Sequence, residues 1–558
     1  MSESEGEFHF SPRPNRAAEI KWRGWSEKAF EEARQLNRPI LLSISAVWCH
    51  WCHVMDETTY SHAGVIDLIN REYLPIRVDN DVRPDINQRY NMGGWPTTAF
   101  LTSSGDILTG ATYMPPDQMA DALIKVSGYY RSHQPEIASS VLEARKRAGS
   151  GIARSAGELD EGIVDSVLEA VTNAYDPEYG GFGNAPKFPQ TEALLLLLEQ
   201  AQLRSDPALR QMAVHTLEQM AGGGTYDHIE GGFFRYSTTQ DWSVPHFEKM
   251  LEDHAGLVSA VALAGLDDAL DSTTRYLDKV LRDQKTGLYA GSQDADEHYY
   301  SLGADERGPE NSPYVDRRVY ASWNAALGVA YLEAAILRQR PQLREHAAKL
   351  LDMLFRDRYR AGQGLMHTET AGGQLGDQVW GLLSAVRAHQ SGLGDKWLPI
   401  AVDIAEHLEA VYADGALGGY FDHAGERLGR LGDPIKPLGE NSVAAMALAE
   451  LDVLTGQPDM PYAKRARKAL ESVAGLPRQY GLMAAAFARA LDRLRQPIKI
   501  STGNPELARA GLMAHPYAVI DPNGDKRAVV CVGTICLAPV TTSAAVGEAL
   551  LEAAKARA

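Results

Sequence analysis

The chain has 558 residues, enough for about three to five domains at roughly 100–200 residues each, and its 55 Lys and Arg against 73 Asp and Glu leave a net charge of −18. An acidic chain without a long basic run excludes non-specific nucleic-acid binding and docking on anionic lipid. Hydrophobic residues at 44% and charged residues at 23% fit a soluble globular protein, and no uncharged apolar run reaches the roughly 18 residues that a membrane helix needs.

Residues 1–22 read as a polar N-terminal arm. The acidic start Met1-Ser-Glu-Ser-Glu lacks the apolar core of a secretory signal, so the cytoplasm is the expected location. Residues 23–150 read as a small α/β domain. Ser26 caps a helix to Asn37, and Pro39-Ile-Leu-Leu-Ser-Ile-Ser-Ala is a buried strand. Trp48-Cys-His-Trp-Cys-His opens a second helix. Leu74-Pro-Ile-Arg-Val-Asp, the segment after Trp95-Pro96, and Ile107–Thr112 are further strands.

From 151 to 495 strand signals give way to amphipathic helices. Twelve are expected, near 160–175, 190–203, 206–221, 246–265, 268–283, 320–338, 341–357, 376–391, 395–412, 440–455, 461–475 and 480–493. Connections after even-numbered helices are short. Those after odd-numbered helices are mostly long and carry a glycine-aromatic signature: Tyr179-Gly-Gly-Phe, Gly231-Gly-Phe-Phe, Gly287-Leu-Tyr, Gly364-Leu-Met and Gly418-Gly-Tyr-Phe. Such self-similarity means repeated helical hairpins, which close into an (α/α)6 six-hairpin toroid with the long loops at one end. Residues 496–558 return to a small C-terminal α/β subdomain, with a strand at Pro497–Ser501, a helix at Asn504–His515 and a hairpin signal at Asp521-Pro-Asn-Gly.

The chemistry begins with the cysteines. Four cysteines are too few for a disulfide scaffold, yet they fall in two close pairs, Cys49/Cys52 and Cys531/Cys536. Cys-x-x-Cys at a strand-to-helix junction is a thioredoxin-like redox signal. The helix N-terminus favours a Cys49 thiolate, and the two-residue spacing lets Cys52 resolve a disulfide on Cys49. Trp48, with Trp95 and a cis Pro96, strengthens this reading. Zinc is the rival: Cys49, His50, Cys52 and His53 cannot all converge on one ion, and Cys531/Cys536 would have to supply a second pair. No other cofactor is indicated. A third reading is a relic pair without activity. Thioredoxins place a buried carboxylate six residues before the first cysteine. Here Ser43 stands there, so proton transfer would fall to His50, His53 or water.

Trp48-Cys-His-Trp-Cys-His-Val-Met and Gly93-Gly-Trp-Pro resemble the thioredoxin-domain family that includes the spermatogenesis-associated thioredoxin-like proteins and bacterial YyaL-type proteins. The resemblance continues through Gly180–Pro189, Val244–Leu251 and Asp294-Ala-Asp to Cys531, Cys536 and Pro539. It implies a thioredoxin-like domain fused to a six-hairpin toroid similar to sugar epimerases and glycosidases, and it implies no reaction. After Asp296 the chain departs from the family's acidic, Gly-rich segment.

Within the toroid the long loops supply Lys187, Tyr226, Asp227, His228, Arg235, Trp242, His246, Glu248, Asp253, Asp294, Asp296, Asp377, Trp380, Glu440 and Asn441. Aromatic rings with carboxylates and amides suit a sugar. Paired carboxylates or histidines, with His246 and Asp294 foremost, could move a proton. Alternatively Glu248 only favours a helix dipole, Lys249 only pairs with it, and the Gly-aromatic repeats only shape tight loops. The leading expectation is thiol–disulfide exchange or redox sensing with a protein thiol or disulfide partner. A sugar-processing enzyme with a small sugar-like ligand comes second, and a non-catalytic binding scaffold third. Lys187, His246, Asp294, Asp377 and Glu440 are expected to share one cavity.

Overall fold

The computed structural model describes residues 8–149, 155–533 and 535–555, and the chain divides into two compact units. The first comprises the N-terminal residues with two later segments, Asp294–Asp296 and Gly425–Ile435. Its elements are α1 (Glu27–Leu36), β1 (Ile40–Ser45), α2 (His50–Glu57), α3 (Ala63–Glu72), β2 (Leu74–Asp79), α4 (Pro84–Tyr90), β3 (Thr97–Leu101), β4 (Ile107–Ala111), α5 (Pro116–Ser132) and α6 (Gln134–Gly149). The strand order is β2-β1-β3-β4, with β1 parallel to β2 and antiparallel to β3. This is the thioredoxin-like βαβ–ββα arrangement. β1 is buried on both faces, as its apolar run requires. Ile40, Leu42 and Ile44 meet Phe30 and Tyr90 on one side, and Leu41 meets Met55 and Leu123 on the other.

The expected polar arm is packed from Phe8 onward: Ala17, Ile20 and Trp22 are buried, and the His9 carbonyl accepts from the Arg77 guanidinium. Apolar residues spaced through a polar stretch explain the difference, because they cover the sheet face beside Met55. Residues 1–7 lie outside the described residues.

The second unit is built of α7 (Ile163–Ala174), α8 (Thr191–Arg204), α9 (Pro207–Gly222), α10 (Leu251–Ala264), α11 (Asp267–Tyr276), α12 (Ala321–Leu337), α13 (Pro341–Arg358), α14 (Leu375–Gln390), α15 (Trp397–Val411), α16 (Leu438–Thr455), α17 (Pro461–Glu471) and α18 (Ala485–Arg495). Helices α8, α10, α12, α14, α16 and α18 pack in succession, and α18 returns against α8 to close the ring. The other six lie outside, with α7 against α18. Inner helices are apolar nearly all round, as burial on every side demands. This is the expected (α/α)6 toroid. Every inner helix follows a long connection, so the inner helices start from one end of the ring.

Four long connections contain the same turn. Asp176, Asp227, Asp283 and Asp414 each accept two following backbone amides on Oδ1. Each carbonyl accepts from the glycine four residues on, Gly180, Gly231, Gly287 or Gly418. Those glycines have φ between 67° and 87°, which disfavours any side chain. In three turns a lysine latches the loop. Lys187 Nζ donates to Asp176 Oδ2 (2.5 Å) and the Gly180 carbonyl (2.7 Å). Lys249 bridges Asp227 and Gly231, and Lys436 bridges Asp414 and Gly418. An inner-helix residue then grips the next strand: Asn324 bonds both backbone groups of Tyr289, and Asn441 those of Tyr420.

The C-terminal elements are β5 (Ile498–Ser501), α19 (Pro505–Ala514), β6 (Ala518–Asp521), β7 (Val529–Val532), β8 (Ile535–Cys536) and α20 (Ser543–Lys555). The order is β6-β5-β7-β8, so Asp521-Pro-Asn-Gly joins strands that do not pair, contrary to the hairpin expected there. α19 crosses over to set β6 parallel to β5, and β5 occupies the place between β6 and β7. The topology matches that of the N-terminal sheet.

Lys187→Met should lower unfolding stability by about 3 kcal/mol, because a buried carboxylate loses its cation. The exposed Lys285→Met should stay within about 0.5 kcal/mol. Denaturant unfolding of the full chain measures both.

Candidate functional site

In the first unit, β1 ends just before Trp48, and Cys49 becomes the N-cap of α2. Its Sγ accepts the Cys52 amide at 3.2 Å. Cys49 and Cys52 form a disulfide and are 3% and 2% exposed. The Trp95–Pro96 bond is cis, as expected. Trp48 donates from Nε1 to Asp81 Oδ2 (2.7 Å) and meets the Trp95 ring edge-to-face at 5.4 Å. Ser43, where thioredoxins carry a carboxylate, is buried. Asp56 on α2 is also buried but forms a bidentate pair with Arg77 at 2.8 and 2.9 Å. His50 is half-buried. His53 is nearly buried, and its Nδ1 lies 3.4 Å from Asp294 Oδ2. Burial, with His9, His50 and Arg77 nearby, nonetheless pushes the His53 ring down to about 3, so it meets the carboxylate as a neutral imidazole.

Several loop residues expected to bind a ligand are instead structural. Lys187 and Asp227 belong to the latches. Asp227 also accepts from Arg307, and Lys249 pairs with it rather than with Glu248. Burial pushes Lys249 down to about 8 against the pull of Asp227. Trp242 is fully buried and donates to the Tyr179 carbonyl (2.9 Å). Tyr226 packs edge-to-face on Phe233, and His228 Nε2 lies 3.0 Å from the Gly223 carbonyl. Asp377 completes the capping box of α14 and also accepts the Ser322 amide, with His367 Nδ1 at 3.0 Å. Asn441 clamps Tyr420. Trp380, on α14, is half-buried against the toroid core. Asp294 and the half-buried Asp296 pack with the first unit. The five-residue cavity set therefore does not hold together: Lys187 and Asp377 are fully buried in loop contacts, and Asp294 meets His53.

What remains is a carboxyl cluster at the starts of α10 and α16. The helix expected from 246 begins at Leu251, because residues 245–250 pair as short strands, 245–246 with Tyr236–Ser237 and 249–250 with Ser292–Gln293. Glu248 consequently lies outside the helix. Its carboxylate sits 3.1 Å from His246 Nδ1 and 3.5 Å from Arg235 Nη1. His246 stacks on Tyr236, which stacks on Phe188. Glu252, which the sequence reading missed, keeps solvent contact while protein crowds it. Burial and Asp253 push its carboxyl up to about 7, Arg235 opposes, and Glu440 adds to the rise. Burial pushes Asp253 up to about 6, Arg235 opposing and Glu248 assisting. Glu440 is raised by burial and by Asp422. Protonated carboxyls beside ionised ones can donate and accept protons near neutral pH.

Cys531 and Cys536 face each other across β7 and β8 and form their own disulfide, so no cysteine is free. Among the described residues no group of three or more His, Cys, Asp or Glu is placed to hold a metal ion, and no helix is long and apolar enough to cross a membrane.

Residues 13–147 match the family Thioredox_DsbH, described as a protein of unknown function, DUF255. The chain is 34% identical over 311 residues to spermatogenesis-associated protein 20 of Homo sapiens, covering 50% of this chain and 39% of that protein. An uncharacterised protein of Caenorhabditis elegans is 30% identical over 313 residues, covering 50% of this chain and 41% of that protein. The chain thus spans about two fifths of the length of these curated relatives. Among solved structures, cellobiose 2-epimerase from Bacillus thermoamylovorans is similar with 14% identity and a TM-score of 0.45, over 55% of this chain and 84% of that one. A D-mannose isomerase is similar with 15% identity and a TM-score of 0.44, over 56% and 86%.

Between about pH 4 and 7 the folded protein keeps protons on Glu252 and Asp253 that the unfolded chain has released. Their favourable contribution is full at the acid end of that window and is lost as pH rises through it. Replacing both, as Glu252→Gln with Asp253→Asn, should raise the melting temperature by a few degrees at about pH 8 and leave it unchanged at about pH 4. Thermal unfolding across pH measures the difference.

Proposed function

We propose that the chain carries out thiol–disulfide exchange at Cys49 and Cys52, a reading that its match to the Thioredox_DsbH family over residues 13–147 and its likeness to spermatogenesis-associated protein 20 support. The observation that supports this most is the cysteine pair closed at the N-terminus of α2, with the Cys52 amide already donating to Cys49 Sγ. That amide and the helix dipole favour negative charge on Cys49 once the pair is reduced. Cys49 is then the attacking thiolate and Cys52 the resolving thiol. Access is narrow, since both sulfurs belong to nearly buried residues. A small disulfide or an extended peptide suits the site better than a folded surface. A cytoplasmic location, where thiols are kept reduced, fits a pair that cycles rather than one that only staples.

A second reading rests on the carboxyl cluster of the helical unit. Glu252 would donate a proton to a neutral polyhydroxyl ligand of the sugar class, with Arg235, His246 and Glu440 ordering its hydroxyls. A thermal-shift screen of mono- and oligosaccharides against the intact protein and Glu252→Gln tests it. A sugar that stabilises the first and not the second supports the reading, and no shift with any sugar removes it.

For the dithiol, reduced Cys52→Ser should accumulate a mixed disulfide with oxidised glutathione or insulin through Cys49, whereas Cys49→Ser should form none through Cys52. Iodoacetamide should label Cys49 ahead of Cys52. Mass spectrometry of the modified peptides reads both. Equal labelling of the two cysteines, or trapping through Cys52, would sink the assignment of roles.

A further inference from the structure

The dithiol of a thioredoxin-like site needs a group that takes the proton from the attacking thiol, and the position where thioredoxins keep a carboxylate holds Ser43. Two buried carboxylates of the first unit are engaged elsewhere. Asp56 gives both oxygens to Arg77, and Asp81 accepts from Trp48 and Asn80. His53 stands in a different position. It lies in the first turn of α2, which Cys49 caps, and its amide donates to the Cys49 carbonyl (3.2 Å). Its side chain is 11% exposed. Its Nδ1 faces Asp294 Oδ2 at 3.4 Å, while its Nε2 is buried and has no hydrogen-bond partner. An orphaned buried nitrogen is costly in a resting protein and is explained by a proton it receives at another stage.

Asp294 reaches this place from far along the chain. Its Oδ1 accepts the Ala295 amide, and its Oδ2 lies 3.4 Å from His53 Nδ1.

We propose that His53 is the acid–base partner of the Cys49 thiol and that Asp294 is its positioning residue, holding the proton on Nδ1 so that Nε2 is the acceptor. The proposal rests on the thiol–disulfide reading above. Once an external dithiol has reduced the pair to two thiols and been oxidised to a disulfide, His53 Nε2 takes the proton from Cys49. The Cys49 thiolate then attacks one sulfur of an external disulfide, forming a Cys49–S–S bond as the external bond breaks. The electron pair leaves on the departing sulfur, and His53 returns the proton to it, so a thiol is released. Cys52 next gives its proton to His53 and attacks the Cys49 sulfur; the bond from Cys49 to the external sulfur breaks, and the departing sulfur takes that proton, so the pair closes and the second thiol is released. The net change is two protein thiols oxidised and one external disulfide reduced. The charged and titratable groups around the ring are His9, His50, Arg77 and Asp294, and the first three disfavour a resting imidazolium. Asp294 and a thiolate formed on Cys49 are the negative charges that would balance one.

The test uses the full chain carrying Cys52→Ser, reduced, with oxidised glutathione as probe and the rate read at the Cys49 peptide from about pH 5 to 9. With His53 and Asp294 present the rate should stay high to about pH 6. His53→Gln should cost about 100-fold near pH 7, the size of one general base, and the remaining rate should rise tenfold per pH unit toward the ordinary thiol pKa of about 8.5. Asp294→Asn should cost about tenfold with the same tilt, and Asp294→Glu should recover part of it. Circular dichroism reports folding, and if His53→Gln does not fold, the Asp294 pair alone decides. Profiles of Asp294→Asn and of folded His53→Gln that superimpose on the parent's would overturn the proposal while leaving the redox reading intact. A folded parent that forms no mixed disulfide at any pH would remove both.

Discussion

Burying an ionised side chain without a partner is the most expensive thing a folded chain can do, and the second unit is arranged around avoiding it. Asp176, Asp227 and Asp414 are drawn inside to organise their turns, and each meets a lysine that itself has no water left. Because the same lysine bonds the glycine carbonyl, turn and latch form one object. Three of the six inner helices, α8, α10 and α16, follow such an object. The closed ring is therefore held at its loop end by backbone and charge contacts, and elsewhere by apolar packing.

Against that background the uncompensated groups stand out. Glu252 and Asp253 have one arginine, Arg235, between them, and crowding by protein pushes their carboxyls up to about 7 and about 6, while burial also raises Glu440. His53 has a carboxylate on one nitrogen and nothing on the other. Elsewhere the same kind of pressure has been relieved, as at Asp56 with Arg77 and at Glu450 with Arg387 and Arg493. Natural sequences tolerate unrelieved burial chiefly where chemistry uses it.

The sequence shows the architecture well and the sites unevenly, for one physical reason. Periodicity and loop length are local signals, so the alternation of short and long connections reveals the ring, and Cys49-x-x-Cys52 with Pro96 reveals the redox domain. A side chain's partner is not local. Lys187 looks like a loop cation open to ligand, and only its latch to Asp176, eleven residues earlier, makes it structural. Asn441 and Asp377 likewise spend themselves on backbone brought near by folding. Glu252 carries no sequence signal of its own, because an acidic residue in a helix's first turn normally needs no further explanation. Its crowding by Asp253 and Glu440 appears only once the ring has closed. Asp521-Pro-Asn-Gly has the chemistry of a tight turn, but β5 occupies the strand position that a hairpin would use.

The two sheets share one topology, yet their cysteine pairs sit in different electrostatic settings. Cys49 caps a helix, where free amides and the dipole favour a thiolate and so favour exchange. Cys531 and Cys536 join neighbouring strands across a tight turn, with no helix N-terminus beside them and Cys536 exposed. Strand dipoles largely cancel, so nothing comparable lowers the cost of a thiolate there. Moreover, both cysteines lie on a hairpin that the ladder already holds in register, so the bond ties together residues that are neighbours without it. The difference in chemistry between the two ends of the chain therefore follows from where each pair stands on the shared topology, at a helix start in one case and at a strand turn in the other.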